Sequence, residues 1–142
     1  MGDARAGICS IEALVQKRLL LIEDEEDLAV ATKFYLQKLG YVIHHCTSGE
    51  DGLSLLQSQN WDGLLIDWML PDISGIEILQ KIREKSPQVV FILSARDSVS
   101  DRERGLQAGA DLYISKPFSL KSLKQQLKRA FSVSTQPTNF AV

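Results

Sequence analysis

Five short apolar runs alternate with five segments of helical periodicity, and this alternation constrains the fold more than any other feature of the chain. The runs are RLLLI (residues 18–22), YVIHHC (41–46), GLLID (63–67), VVFIL (89–93) and DLYIS (111–115), and the helical segments are residues 27–39, 48–57, 75–85, 100–109 and 119–131. Strands that alternate with helices form a parallel sheet, because each helix returns the chain through a right-handed crossover. The sequence therefore predicts a doubly wound α/β fold with five parallel strands and helices on both faces.

The composition of the runs predicts their place in the sheet. The first, third and fourth runs are almost wholly apolar, as is typical of strands that are covered on both faces. The second run contains His44 and His45, which favours a place nearer the edge. We expect one domain over residues 18–131, preceded by an extension (1–17) with a short helical pattern at 10–17 and followed by a tail or linker (132–142).

The net charge and the cysteine content indicate which ligands and which cellular compartment to expect. The chain has 16 basic and 18 acidic residues and a net charge of -2, so nothing in its overall charge favours binding to nucleic acid or to an anionic membrane. Cys9 and Cys46 lie far apart and without metal-type spacing, which predicts free thiols in a reducing compartment. The sequence has no apolar stretch of about 18 residues that could span a membrane. We therefore expect a cytoplasmic protein.

Polar side chains follow the predicted strands at their carboxyl ends. Glu23 and Asp24 follow the first strand, Asp67 closes the third, Ser94 follows the fourth, and Lys116 follows the fifth. Ligands of open parallel sheets bind in the crevice beyond these strand ends. We therefore expect these five side chains to converge on one edge of the sheet.

The chemistry of this group favours phosphoryl transfer. Three neighbouring carboxylates repel one another unless a cation lies between them, and Mg²⁺ or Mn²⁺ accepts such oxygen ligands. The Lys116 ammonium and the Ser94 hydroxyl suit the oxygens of a phosphoryl group. The set predicts a metal-assisted transfer onto a carboxylate, with Asp67 as the nucleophile.

Each residue also has a simpler interpretation when it is taken alone. The acidic run at residues 23–27 is typical of a solvated loop, and Asp67 or Ser94 could cap the turn or the helix that follows it. Lys116 could be an ordinary surface lysine. Their joint placement at successive strand ends favours a functional site.

Four segments resemble the motifs of response-regulator receiver domains over residues 18–131. These are LLLIEDE, LLIDWMLPDISG, FILSARD and LYISKPF. By this resemblance, Glu23 and Asp24 are the acidic pair, Asp67 is the phosphoacceptor, Ser94 is the switch hydroxyl and Lys116 is the family's lysine.

The resemblance also implies details of the ligands and of the switch. It implies that Mg²⁺ is bound by Asp24, Asp67 and the main-chain carbonyl of Met69, while Glu23 acts through metal-bound water. Tyr113 would be the aromatic switch residue, and the peptide bond between Lys116 and Pro117 would be cis. On phosphorylation, Ser94 would move towards the phosphate and Tyr113 would turn inward behind it.

Among receiver domains the motifs most resemble the OmpR/PhoB group of DNA-binding regulators. This implies phosphorylation by a sensor histidine kinase, or by a small phosphodonor, and control of transcription through a DNA-binding domain that the chain does not contain. Leu112, Ser122 and Gln126 replace charged residues of the group's dimer face, which is formed by the fourth helix, the fifth strand and the fifth helix. We therefore expect at most weak self-association through this face, with apolar contacts.

The residues that flank the acceptor predict a long-lived phosphoaspartate. Met69 has no strong hydrogen-bonding group to orient a water molecule, and the long side chain of Arg96 can screen the site.

Three other functions fit the sequence less well. A phosphohydrolase of the haloacid dehalogenase kind would need a second aspartate where the chain has Met69. A flavodoxin-like cofactor binder would need an amide-rich loop where the chain has EDEED. A degenerate receiver that is never phosphorylated is disfavoured by the intact set of site residues.

Overall fold

The computed structural model describes residues 16–134, except for the side chains of residues 83, 133 and 134. Most of the short helix predicted at 10–17, and the tail from residue 135, lie outside this part of the chain. The elements are β1 (Arg18–Ile22), α1 (Glu26–Lys38), β2 (Val42–Cys46), α2 (Gly49–Ser58), β3 (Gly63–Asp67), α3 (Gly75–Lys81), a 3-10 turn (Arg83–Lys85), β4 (Val89–Ser94), α4 (Val99–Gln107), β5 (Leu112–Ser115) and α5 (Leu120–Ser134).

The five strands form one parallel sheet in the order β2-β1-β3-β4-β5. This confirms the predicted doubly wound α/β fold, and β2 lies at the edge as its two histidines indicated. The order reverses between β1 and β3, so the carboxyl ends of these strands border the crevice in which such folds bind ligands.

Two apolar layers hold the helices against the sheet. On one side α1 and α5 pack on alternate residues of the strands, with Phe91 fully buried at the centre. On the other side α2 and α3 pack on the remaining strand residues, including Ile66 and Ile92. Every residue of β3 and β4 is buried. Each such large apolar side chain contributes about 1.5–3 kcal/mol through burial, so the central strands form a stable base for the loops above them.

Two helices end differently from the sequence prediction. The segment predicted as one helix over residues 75–85 divides, because Ile82 leaves the α-helical conformation and buries its side chain, and the 3-10 turn follows. Helix α5 continues to Ser134, beyond the predicted end at residue 131. No glycine or proline occurs between Phe131 and Pro137, and the small polar residues that follow Phe131 do not end the helix at the predicted position.

Cys46 is a buried free thiol, and burial raises its pKa to about 11. Its side chain therefore stays protonated and packs as a small apolar group. Within residues 16–134, none of the helices has both the length and the apolar character needed to cross a bilayer.

Candidate functional site

Three carboxylates meet where β1 and β3 end. Ile22 pairs with Ile66 in the sheet, and this register places the residue after β1 beside the last residue of β3. Glu23, Asp24 and Asp67 each offer an oxygen atom, and the three oxygens lie within 4.8 Å of one another. The side chains differ in exposure, since Glu23 is 1% exposed and Asp67 6% exposed, whereas Asp24 lies open to solvent. The cluster is therefore a pocket with a buried floor and an exposed rim.

Lys116 reaches this pocket from the end of β5. Its ammonium nitrogen lies 2.7 Å from Glu23 Oε1 and 3.2 Å from Asp67 Oδ2. The main chain is fixed by a 2.8 Å hydrogen bond from the Lys116 amide to the Ser94 carbonyl. The following bond to Pro117 is cis, as the resemblance implied. The single ammonium group therefore bridges the two buried carboxylates.

The pKa values of Glu23 and Lys116 are both shifted in the pocket. Burial raises the pKa of Glu23 to about 7; the hydrogen bond from Lys116 opposes the rise, and the charge of Asp67 adds to it. Burial by itself would lower the pKa of Lys116, but its contacts with Glu23 and Asp67 outweigh burial and raise it. The lysine therefore stays charged, while Glu23 retains a proton more readily than an exposed glutamate does.

Asp67 is held on both sides of its carboxylate. Oδ1 accepts a 3.1 Å hydrogen bond from the Met69 amide, and Oδ2 accepts one from Lys116. Met69 is 59% exposed. Asp67 thus also caps the turn after β3, so the structural and the functional interpretations of this residue are compatible.

Ser94 and Tyr113 lie behind the pocket. Ser94 is fully buried, and its Oγ accepts a 2.9 Å hydrogen bond from the Arg96 amide. It does not cap the next helix, because Ser98 caps α4. Tyr113 is 5% exposed, and its hydroxyl donates a 2.5 Å hydrogen bond to the Arg96 carbonyl. The ring therefore occupies the inward position that the sequence analysis assigned to the phosphorylated state.

Gly105 provides the space for this inward ring. A Cβ atom at Gly105 would lie 2.8 Å from Cδ2 of Tyr113 and 2.9 Å from Cδ1 of Ile92. Any larger residue on this face of α4 would displace the ring or the helix. The position of Tyr113 thus depends on a glycine that the sequence analysis did not single out.

Arg96 lies beside Trp68 and forms an ion pair with Asp101. Its guanidinium carbon is 4.7 Å from the centre of the Trp68 ring, and a nitrogen lies 3.0 Å from Asp101 Oδ1. Arg104 approaches the same indole at 5.3 Å, and the edge of Tyr113 packs against it. Trp68 is buried, and it links the acceptor loop to α4 and β5.

Three uncharged residues of the α4–β5–α5 face differ in exposure. Leu112 and Gln126 are partly buried, and Ser122 is exposed. Arg102 of α4 instead binds within the molecule, at 3.1 Å from Asp97 Oδ1 and 2.6 Å from Ser115 Oγ.

Comparison with known proteins decides the family. The family model of the response regulator receiver domain matches residues 19–128. The chain belongs to this family. The receiver domain is 41% identical over 117 residues to the uncharacterized transcriptional regulatory protein YcbL of Bacillus subtilis, an alignment that covers 82% of the chain and 52% of YcbL. It is 39% identical over 112 residues to the transcriptional regulatory protein QseB of Haemophilus influenzae, covering 78% of the chain and 51% of QseB.

A solved structure shows the same fold. The receiver domain of the Francisella response regulator 1452 is 30% identical to the chain and superposes with a TM-score of 0.78, covering 84% of this chain and 99% of the other. The receiver domain described here spans about half the length of the curated relatives. These two relatives are named as transcriptional regulatory proteins, and about half of each lies outside the alignment.

The side chains of the pocket fit a divalent metal ion. Glu23, Asp24 and Asp67 are hard oxygen donors of the kind that Mg²⁺ and Mn²⁺ prefer. One ammonium group lies among three carboxylates, and burial together with the charge of Asp67 raises the pKa of Glu23. A cation among the three oxygens would offset the repulsion between the carboxylates.

Proposed function

We propose that this receiver domain accepts a phosphoryl group on Asp67, with Mg²⁺ or Mn²⁺ bound by Asp24, Asp67 and the Met69 carbonyl, and with Glu23 acting through metal-bound water. The observation that carries the proposal is the meeting of Asp67 with two further carboxylates and one lysine in a partly buried pocket. When bound, the metal supplies positive charge that balances the carboxylates and the phosphoryl oxygens.

In the reaction, a carboxylate oxygen of Asp67 forms a bond to phosphorus while the bond from phosphorus to the donor breaks. The electron pair of that bond leaves with the donor, which is a phosphohistidine of a sensor kinase or a small acyl phosphate. Lys116, now 3.2 Å from Asp67, would exchange this contact for one with a phosphoryl oxygen. Ser94 would donate its hydroxyl to another oxygen and move the β4–α4 loop with it.

The output of the switch follows from the connections of that loop. The Arg96 carbonyl accepts the hydrogen bond of the inward Tyr113 ring, so the loop and the ring are coupled, and phosphorylation would stabilise this inward position over an outward one on the α4–β5–α5 face. YcbL and QseB are named as transcriptional regulators, so we infer that this face controls a DNA-binding domain outside this chain. Self-association through the face would be weak and apolar, because Leu112, Ser122 and Gln126 carry no charge.

The lifetime of the phosphoaspartate would be set by Met69 and Arg96. Met69 is mostly exposed two residues after the acceptor, and its thioether offers no group to orient an attacking water. Arg96 is held by Trp68 and Asp101, which limits its use as an orienting group too.

Incubation with acetyl phosphate, followed by intact-mass measurement, tests the acceptor. We expect the wild-type protein to gain one phosphoryl group only when Mg²⁺ is present, and Asp67→Asn to gain none. Asp27→Asn is a matched control, because it removes the same charge from an exposed position of α1. Equal uptake by Asp67→Asn, or uptake that persists in chelator, would refute the assignment.

A further inference from the structure

The loop between β3 and α3 contains Met69, and its two ends are in direct main-chain contact. The Gly75 amide donates a 2.8 Å hydrogen bond to the Trp68 carbonyl. A Cβ atom at Gly75 would lie 2.5 Å from the Asp67 carbonyl oxygen, so the end of the loop packs directly on the main chain of the acceptor. The middle of the loop, however, projects outward, and the Met69 side chain is mostly exposed.

Asp72 ties this projecting part to a different helix. Its Oδ1 accepts a 2.9 Å hydrogen bond from the Gly49 amide, and its Oδ2 accepts one of 2.9 Å from the Glu50 amide. These amides belong to the first two residues of α2, which have no partner within the helix. The two bonds lower the pKa of Asp72, so its carboxylate is ionised at neutral pH.

Gly49, the first residue of α2, also allows the loop to lie close to the helix. A Cβ atom at Gly49 would lie 2.2 Å from Cγ2 of Ile73, so only glycine allows the loop to approach α2 this closely. Helix α2 already has its own N-cap, since Ser48 Oγ accepts a 3.2 Å hydrogen bond from the Asp51 amide. Asp72 therefore adds a link between loop and helix that the helix cap does not supply.

We propose that Asp72 is a positioning residue for the metal site, which fixes the loop to α2 and thereby sets the place of the Met69 main chain. The inference rests on the proposed function, because that proposal includes the Met69 carbonyl among the metal ligands. The main chain of Met69 is restrained in two ways. Its amide bonds Asp67, and Asp72, three residues later in the same loop, is anchored to α2. Substitution of residues that hold metal ligands in position typically lowers metal affinity by about 10- to 100-fold.

Four variants separate positioning from charge and from helix stability. Asp72→Ala removes both bonds, while Asp72→Asn keeps one acceptor oxygen and removes the charge. Glu50→Gln removes a neighbouring charge but leaves the Glu50 amide to bond Asp72. Ser48→Ala removes the other cap of the same helix and leaves the loop attached.

The affinity for Mn²⁺, measured from the free ion by electron paramagnetic resonance, is the main readout. We expect Asp72→Ala to raise the Mn²⁺ dissociation constant about tenfold, Asp72→Asn to fall between it and wild type, and both controls to stay within about twofold. In the acetyl phosphate assay, the Mg²⁺ concentration for half-maximal rate should rise in Asp72→Ala, while the rate at saturating Mg²⁺ stays close to wild type. Urea unfolding in chelator measures the helix contribution separately.

The outcomes distinguish this inference from the proposed function. Unchanged Mn²⁺ affinity in Asp72→Ala, or an equal loss in Ser48→Ala at similar stability, would overturn the positioning role. If Asp72→Ala does not fold, the Mn²⁺ affinity of Asp72→Asn is compared with that of Glu50→Gln, and equal affinities would overturn the positioning role. If Asp67→Asn takes up phosphate like wild type, the proposed acceptor fails, but the Mn²⁺ titration still supports or overturns the role of Asp72.

Discussion

Replacing Glu23 with glutamine should remove a specific pH dependence of stability. Glu23 is buried at the floor of the pocket, and its pKa is raised from 4.5 to about 7, first by burial and then by the charge of Asp67, against the hydrogen bond from Lys116. The folded protein therefore binds this proton more tightly than the unfolded chain does. The stabilisation of the folded state by this bound proton is complete below pH 4.5 and is lost as the pH rises through 7.

The size of the effect follows from the two pKa values. One pKa unit corresponds to about 1.4 kcal/mol, so this group should lower the free energy of unfolding by about 2–3 kcal/mol between pH 5 and pH 8. For a domain of this size, a urea dependence of about 2 kcal/mol per M converts this into a midpoint shift of roughly 1–1.5 M. In Glu23→Gln this contribution should disappear, because glutamine does not titrate.

Urea unfolding in chelator at pH 5, 6, 7 and 8 measures the prediction, with the buried Trp61 and Trp68 as fluorescent probes. The comparison of the two proteins isolates Glu23, because all other side chains are common to both. Saturating Mg²⁺ should reduce the wild-type pH dependence, since a cation that binds only the folded state favours the ionised carboxylate. Parallel stability curves for wild type and Glu23→Gln across this range would show that the environment of Glu23 has been misjudged.

Two further predictions concern the phosphorylated state. Met69→Asn should speed the loss of phosphate by about three- to tenfold, because an amide can orient the attacking water; an unchanged or slower decay in intact-mass measurements would contradict this explanation. In analytical ultracentrifugation with beryllofluoride, the domain should associate weakly and with little dependence on salt, because Leu112, Ser122 and Gln126 are uncharged. A tight dimer that dissociates steeply as salt is added would show that ionic contacts on this face were overlooked.

Local patterns were sufficient to predict the fold and the meeting of the site residues. The alternation of apolar runs with helical segments implies a parallel sheet, and His44 and His45 were enough to place β2 at the edge. The carboxyl ends of all the parallel strands lie on one side of the sheet, so the side chains after β1, β3 and β5 were expected to lie near one another there. The cluster of Glu23, Asp67 and Lys116 is therefore a consequence of strand order and residue type.

Contacts between side chains from distant elements were decided only in the tertiary structure. Asp72 and Gly49 are separated by 23 residues, and nothing in the period of either segment indicates that the loop reaches α2. The inward position of Tyr113 likewise depends on space beside Gly105. Such contacts depend on how far one helix lies from another and on which rotamer fills the gap between them, and neither quantity is encoded in hydrophobic periodicity.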